Sequence, residues 1–406
     1  RMAGENMDVV SKEAGAPDKK DEIQKIAKSA RKAQMEQDFS STVDVELPKF
    51  KKLAEEGNLT DAVQNLLALE KQTRNGGDIA STSRIAVGIV QICRQAEAWD
   101  ALYANLTLLS KRRSQEKKVI TDMVQCASKI VDELVDPAQV EKRLKLIETL
   151  RDISAGKIFL EIERARLTRT LAYMKETDGD VTKAAMILHE LQVETFGAME
   201  KKEKTEFILE QMRLCLANND FIRAQMLSRK INKKVFAEAD LEELKFKFYN
   251  LMIQYHKNKN DYVEICKCYV EMYNTESVKS NPTARQPYLK AAALFICLSV
   301  YSNESSDLMN RLFADKHYDD LNMYKSLMKH FLTPELICWD RFQKLYAEEI
   351  ATNTSIVSEP TFWEDVKKRH VEHNLRVIAR YYSRISMPRL SKLLNQTVEM
   401  TEELVT

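Results

Sequence analysis

A spacing of about forty residues recurs along the chain and limits its fold more than any other feature. Five segments share a polar turn, usually with Asn, Asp or Gly, then one apolar residue, then an amphipathic helical pattern. A sixth segment, around Val140, stands where the period requires one. This period is typical of stacked helical hairpins, because one hairpin cannot bury its own apolar face but a stack can. The apolar turn residues are Leu59, Trp99, Val140, Val181, Phe221 and Tyr262.

Helical patterns on both sides of each turn predict an all-α chain. An aspartate directly before three of the apolar residues predicts a helix N-cap, since a carboxylate there accepts hydrogen bonds from unpaired amides. Alanines three residues after the turn allow paired helices to approach closely. We therefore predict a TPR-like α-solenoid of about six helical hairpins over residues 39–275, with the six apolar turn residues as its repeated core. A plain globular bundle is the alternative, and the regular period argues against it. The aspartates are Asp180, Asp220 and Asp261, and the alanines are Ala62, Ala184 and Ala224.

Composition excludes several classes of function. The 406 residues include only 9 Gly and 8 Pro, which leaves little room for hairpin turns or phosphate-binding loops. Lysine and arginine number 62 against 61 acidic residues, so no overall charge draws the chain to nucleic acid or to a membrane. No apolar run approaches the roughly 18 residues that a membrane span needs. The 7 cysteines lack the spacing of a disulfide framework, which indicates a reducing compartment.

Candidate catalytic and metal-binding residues are few. No glycine-rich nucleotide motif occurs. His370 and His373 lie three residues apart on a predicted helix, a spacing that can chelate a metal, but the sequence offers no third ligand. A solvated or partner-facing pair is therefore the favoured interpretation. Cys266 and Cys268 lie about 200° apart around a helix, which argues against joint ligation. We expect no cofactor, no metal and no enzymatic activity.

The forty-residue period is lost after residue 280. Thr333 and Pro334 predict the start of a helix, as cap and first helical residue. A polar break at 352–361 precedes a long helix. Its apolar stripe predicts a packed seam and consists of Val371, Leu375, Ile378, Tyr382 and Ile385.

The last segment, residues 371–406, predicts part of a winged helix. Three helical stretches follow one another, and the chain stops where the β-hairpin of the wing would begin. In a DNA-binding winged helix the third helix carries basic or amide side chains into the major groove. Here it carries Glu399, Glu402 and Glu403, which disfavours nucleic acid and favours contacts with protein. The leucines expected to form its small core, and to face a partner where the wing is missing, are Leu390, Leu393, Leu394 and Leu404.

Several stretches resemble known proteins directly. Two of the longest are "GDVTKAAMILHELQVETFGAMEKKEKTEFILEQMRLCL" and "VEHNLRVIARYYSRISMPRLSKLLN". They resemble the PCI-domain subunits of the proteasome regulatory particle lid, which are helical-repeat proteins that end in a winged helix. The resemblance runs from about Phe39 to the end of the chain. It divides the chain into a mobile charged tail (1–38), the solenoid (39–275), a PCI helical segment (276–370) and the partial winged helix (371–406).

The resemblance implies a non-catalytic scaffold of the 26S proteasome lid, in cytoplasm and nucleus, that supports lid assembly and ubiquitin-dependent protein degradation. Its implied partners are the other PCI subunits of the lid, the lid deubiquitinase subunit, the ATPase ring and the α ring of the core particle. Nucleic acid and membrane are not among them. Because the family's wing and terminal helix are absent, we interpret the chain as truncated. Two alternatives stay open: the paralogous scaffold subunit of the COP9 signalosome, and a nucleic-acid-binding PCI protein.

Overall fold

The structure is a computed structural model that describes residues 37–352 and 362–405. The side chains of residues 237, 239, 404 and 405 are outside the description. The predicted tail and the predicted polar break at 352–361 lie almost entirely outside the described residues. Within those residues the chain is helical and contains no strand, as the sequence predicts. Contacts divide it into two compact units, the first ending at Asp178 and the second beginning at Gly179.

The first unit contains seven described α-helices joined by short turns. Helices on either side of a repeat turn pack together as hairpins, α1 on α2 and α3 on α4. Successive first helices also stack, α1 on α3 and α3 on α5, so the apolar stripe that one hairpin leaves open is covered by its neighbour. The helices are α1 (Ser40–Glu55), α2 (Leu59–Asn75), α3 (Ile79–Gln95), α4 (Trp99–Lys111), α5 (Lys117–Glu133), α6 (Val140–Ser154) and α7 (Glu161–Thr177).

The second unit holds the remaining thirteen described helices. Its centre is the second half of α14, where residues 291–298 are all buried, and α14 packs against α12, α16 and α18. A helix that is apolar on every face is stable in water only inside such a ring of neighbours. The helices are α8 (Val181–His189), α9 (Lys201–Ala217), α10 (Phe221–Lys230), α11 (Glu242–Asn258), α12 (Tyr262–Tyr273), α13 (Glu276–Lys279), α14 (Pro282–Leu298), α15 (Asn303–Phe313), α16 (Asn322–Leu332), α17 (Trp339–Ala351), α18 (Phe362–Tyr381), α19 (Met387–Leu394) and α20 (Val398–Val405).

All six apolar turn residues of the repeat are the first residue of a helix. Five of the turns share one backbone device: the residue two positions before the apolar turn residue has a positive φ. These residues are Gly57, Glu97, Gly179, Asn219 and Asn260.

This device ends the preceding helix in a Schellman motif. The amide after the positive-φ residue donates to the carbonyl five residues back, as from Asp220 to Cys215 at 2.8 Å and from Asp261 to His256 at 3.1 Å. The predicted aspartate caps are confirmed, since the Asp220 carboxylate accepts from the Arg223 amide at 3.1 Å. The turn before Val140 differs, because a 3₁₀ turn, Pro137–Gln139, replaces the positive-φ residue.

The repeated core lies three residues further along than the sequence suggests. Of the six turn residues only Trp99 and Tyr262 are buried, and Val140 is 41% exposed. The first side chain of a helix tilts back toward the turn and the solvent, whereas the side chain one turn later faces the paired helix. The completely buried positions are Ala62, Leu102, Ala184, Ala224 and Ile265. The prediction that all six turn residues form the core is therefore wrong, and Val140 is its clearest exception.

Replacing Gly57 with alanine tests the turn geometry. Gly57 has a φ of 99°, and a Cβ built there meets no atom within 4 Å. Backbone strain is thus the only new cost, and we expect local stability to fall by about 1 kcal/mol. Peptide-resolved hydrogen exchange over residues 40–75 measures the loss.

Gly197→Ala is the matched control, because its Cβ also meets nothing and its φ lies outside the strained region. Unchanged exchange in both variants would show that the turn tolerates a side chain and that the strain argument is wrong.

Candidate functional site

The last three helices of the second unit, α18, α19 and α20, pack on one another, and we call them together the C-terminal unit. Helix α18 packs on α14, α19 packs on α18, and α20 packs on α19. Val371 and Ile378 from α18 meet Leu390 and Leu394 from α19 in one buried cluster, and Leu393 packs against its edge. Ser386 precedes α19.

This cluster corrects the predicted partner interface. Leu390 and Leu394 are buried and Leu393 is half-buried, because α18 covers the apolar face of α19. Leu390 and Leu394 are therefore core residues of the C-terminal unit, and Leu393 lies half-buried at the edge of that core. The side chain of Leu404 lies outside the described residues.

An extended segment, residues 333–338, is held against α18 by three buried polar side chains. His370 Nε2 donates to the carbonyl of Ile337 at 2.7 Å, and His373 Nε2 donates to the carbonyl of Glu335 at 3.1 Å. The Asn374 amide both accepts from the Ile337 amide at 2.9 Å and donates to its carbonyl at 3.0 Å. Four hydrogen bonds therefore replace the ones that this backbone would make in a helix.

Two sequence predictions fail at this segment. Thr333 and Pro334 do not begin a helix: Thr333 is the C-cap that follows α16, and the next helix begins at Trp339. The histidines are neither solvated nor partner-facing, since His370 is 2% and His373 is 4% exposed. Both failures have one cause, because the side chains of α18 satisfy the backbone of a segment far away in sequence.

The environment of both histidines favours the neutral imidazole. Burial is the main cause that lowers the pKa of His370 and of His373 below the ordinary 6.5. Lys367 adds to the effect at His370, and Arg376 and Arg380 add to it at His373, while the carbonyl hydrogen bonds oppose it.

We expect acid to weaken this contact. A folded pKa below the unfolded one means that stability is fully present above about pH 6.5 and is lost as the pH falls toward the folded values. Histidine C2-hydrogen exchange measured against pH should place the midpoints of His370 and His373 below 6.5 in the native chain. Native midpoints at pH 6.5 or above, equal to the midpoints measured in urea, would contradict the burial of His370 and His373 against the segment 333–338.

The predicted stripe of packed apolar residues on α18 is only partly right. Val371 and Ile378 are buried as predicted, but α18 ends at Tyr381 and Tyr382 is 40% exposed. Helical periodicity placed Tyr382 on the packed face because it continued the helix past Tyr381. Tyr381 is more exposed still, and Val398 and Met400 present apolar surface on α20. They are the exposed large apolar residues of the C-terminal helices, and such residues suit contacts with protein.

The third helix of the C-terminal unit presents acidic side chains to solvent. Glu399, Glu402 and Glu403 are all exposed on α20. Phosphate groups of nucleic acid would be repelled by this helix, since binding to a duplex depends on cations that displace its counterions. The acidic face that the sequence predicts for this helix is exposed.

The described part of the chain contains no cluster of three or more His, Cys, Asp or Glu side chains placed to hold a metal ion. Cys266 and Cys268 are both buried, and burial is the main cause that raises the pKa of each thiol, to about 12 for Cys268. A thiol that stays protonated is a poor ligand and a poor nucleophile. Among the described helices, none is both long enough and apolar enough to cross a membrane.

Two family models match the chain. The model described as PSMD12/CSN4, N-terminal, matches residues 61–281, and the PCI domain model matches residues 327–406. The first match covers most of the repeat region, and the second covers α17 to α20 together with the segment that the histidines hold.

Curated relatives match over most of the chain. The 26S proteasome non-ATPase regulatory subunit 12 of Dictyostelium discoideum is 43% identical over 94% of this chain and 85% of its own length. The 26S proteasome regulatory subunit RPN5 of Saccharomyces cerevisiae is 39% identical over 90% of this chain and 83% of its own. The homolog A of subunit 12 in Arabidopsis thaliana is 39% identical over 86% of this chain and 85% of its own.

Proposed function

The chain belongs to the PSMD12/CSN4 family of PCI-domain proteins, and from this premise we propose that it is a structural subunit of the 26S proteasome lid. The observation that carries the proposal is the 43% identity, over 94% of the chain, to a protein named as a non-ATPase regulatory subunit of the proteasome. Identity at that level across nearly the whole length preserves the fold.

A scaffold role suits the physical character of the molecule. Stacked hairpins expose long rows of helix surface, which serve as binding faces because each repeat is already stabilised by its neighbours. The buried polar side chains of His370, His373 and Asn374 serve packing, since their hydrogen bonds hold the segment 333–338 against α18. We propose that the chain supports lid assembly, and with it ubiquitin-dependent degradation, without catalysing a reaction.

The partners that we propose are the other PCI subunits of the lid, which would contact the C-terminal helices. We also propose contacts of the helical repeats with the lid deubiquitinase subunit, the ATPase ring and the α ring of the core particle. Exposed Tyr381, Val398 and Met400 support a protein contact at the C-terminal unit. The proposed compartments are the cytoplasm and the nucleus.

Affinity purification of the tagged full chain from its own cells tests this function. We expect lid subunits and proteasomal ATPases in stoichiometric amounts, identified by mass spectrometry. Recovery of signalosome subunits without ATPases would overturn the proposal in favour of the COP9 paralogue, since the matching family model names both proteins.

A further inference from the structure

A groove of about 690 Å³ opens in the second unit beside α11, α12 and α15. This volume lies in the range of sites that hold a drug-sized ligand or a short peptide segment. Its floor is aromatic: the ring centroids of Phe236 and Phe248 are 5.4 Å apart, and those of Phe248 and Tyr249 are 5.2 Å apart. Met252 and Val270 complete an apolar surface that could receive one large side chain.

The rim of the groove is basic. Five cationic side chains line it against two carboxylates, Glu264 and Glu271. His256 also lines it, but burial lowers the pKa of this imidazole, so it adds no charge at neutral pH. The cations are Lys233, Lys234, Lys245, Lys267 and Arg311.

Two of these cations are already paired. Lys267 forms salt bridges of 2.5 Å with both Glu264 and Glu304, and Arg311 pairs with Asp307 at 3.0 Å. Lys233, Lys234 and Lys245 form no salt bridge with any residue that the structure describes. Glu271 and Glu242 lie close enough to Lys245 to act on its charge, so Lys233 and Lys234 are the least compensated cations of the groove.

A further polar group lines the groove, the hydroxyl of Tyr249, whose side chain is mostly buried. Burial raises the pKa of this hydroxyl, so it remains a hydrogen-bond donor at neutral pH. Glu271 is close to both this hydroxyl and Lys245, so the negative side chain that these two groups face belongs to the chain itself.

We propose that this groove binds an acidic peptide segment of a partner protein, with one large apolar side chain on the aromatic floor and its carboxylates on Lys233 and Lys234. A free inorganic anion would use the cations and leave the floor empty, whereas a peptide uses both. The proposal goes beyond a role in the lid and does not depend on it, because the isolated chain carries the whole groove.

Fluorescence anisotropy with the full chain and a labelled glutamate-rich peptide carrying one central phenylalanine tests the proposal. We expect saturable binding that weakens as salt rises from about 50 to about 300 mM, since the Debye length shortens. Lys233→Glu with Lys234→Glu should weaken binding about tenfold or more, because two attractions become repulsions. The matched control reverses another exposed lysine pair of the same unit, Lys201→Glu with Lys202→Glu, and should leave the affinity unchanged.

A second peptide, with alanine in place of phenylalanine, distinguishes binding to the aromatic floor from binding to the basic rim. Weaker binding of this peptide supports the groove as a peptide site. Equal binding of both peptides, equal loss in the two lysine-pair variants, or displacement of the peptide by equimolar inorganic phosphate would each overturn the proposal. Absence of binding to the phenylalanine peptide at low salt would overturn it outright.

Discussion

Replacing Phe295 with alanine is expected to lower the free energy of unfolding of the second unit by about 3–5 kcal/mol. Phe295 lies on the central helix α14 and is 0% exposed. Its ring is stacked with Tyr262 at a centroid distance of 6.1 Å and with Tyr269 at 5.6 Å. The substitution removes transfer free energy, leaves a cavity among rigid aromatic neighbours and abolishes both ring contacts.

Peptide-resolved hydrogen exchange as a function of denaturant measures this effect in the full chain. Amides of α12 and α14 should lose protection, while those of α1 to α5 in the first unit should not. Tyr381→Ala is the matched control, since that aromatic side chain is 71% exposed and should matter little. Similar protection in the two variants would contradict the central position of α14 in the core.

A second large effect is expected from Glu70→Ala in the first unit, a loss of about 3 kcal/mol. Glu70 is 0% exposed, and its carboxylate accepts from Arg74 Nε at 3.1 Å and from Arg112. Arg74 also donates to the carbonyl of Arg113 at 2.7 Å, so α2 is tied to the end of α4. Removing the carboxylate leaves two guanidinium groups in a mostly desolvated site without their anion.

Denaturant-dependent hydrogen exchange over α2 and α4 measures the loss, and two further variants test its cause. Glu46→Ala removes an exposed carboxylate paired with Lys49 at 2.9 Å and should cost at most about 1 kcal/mol. Arg112→Ala combined with Glu70→Ala should cost less than the two single losses added together, because the pair is coupled. Strict additivity would show that Glu70 acts through packing alone.

Local features of the fold were predictable from the sequence. The six helix starts, from Leu59 to Tyr262, coincide with the apolar residue after each polar turn. Helix α15 likewise begins directly after a capping residue, Ser302, whose side chain accepts from the Ser305 amide. A cap or a turn is decided by bonds among residues a few positions apart, so the pattern of neighbouring residues is enough to find it.

Burial at the candidate site was less predictable. The sequence placed Leu390 and Leu394 in a small core but also at a partner surface, and only the packing of α18 on α19 decides for the core. It likewise could not assign His370 and His373, because their acceptors lie more than thirty residues away. The sequence around a polar side chain does not indicate which distant backbone groups it will hydrogen-bond in the fold.

The sequence by itself determined the helical class, the forty-residue repeat, the aspartate caps and the family. Only the tertiary structure decided that Ala62 and Ala224, rather than Leu59 and Phe221, are the completely buried positions of the repeat. It alone brought Lys233, Lys245 and Arg311 to one groove, since these residues lie on separate elements. The physical reason is range: periodicity and capping act within a few turns of one helix, whereas burial and charge clustering depend on which helix packs against which.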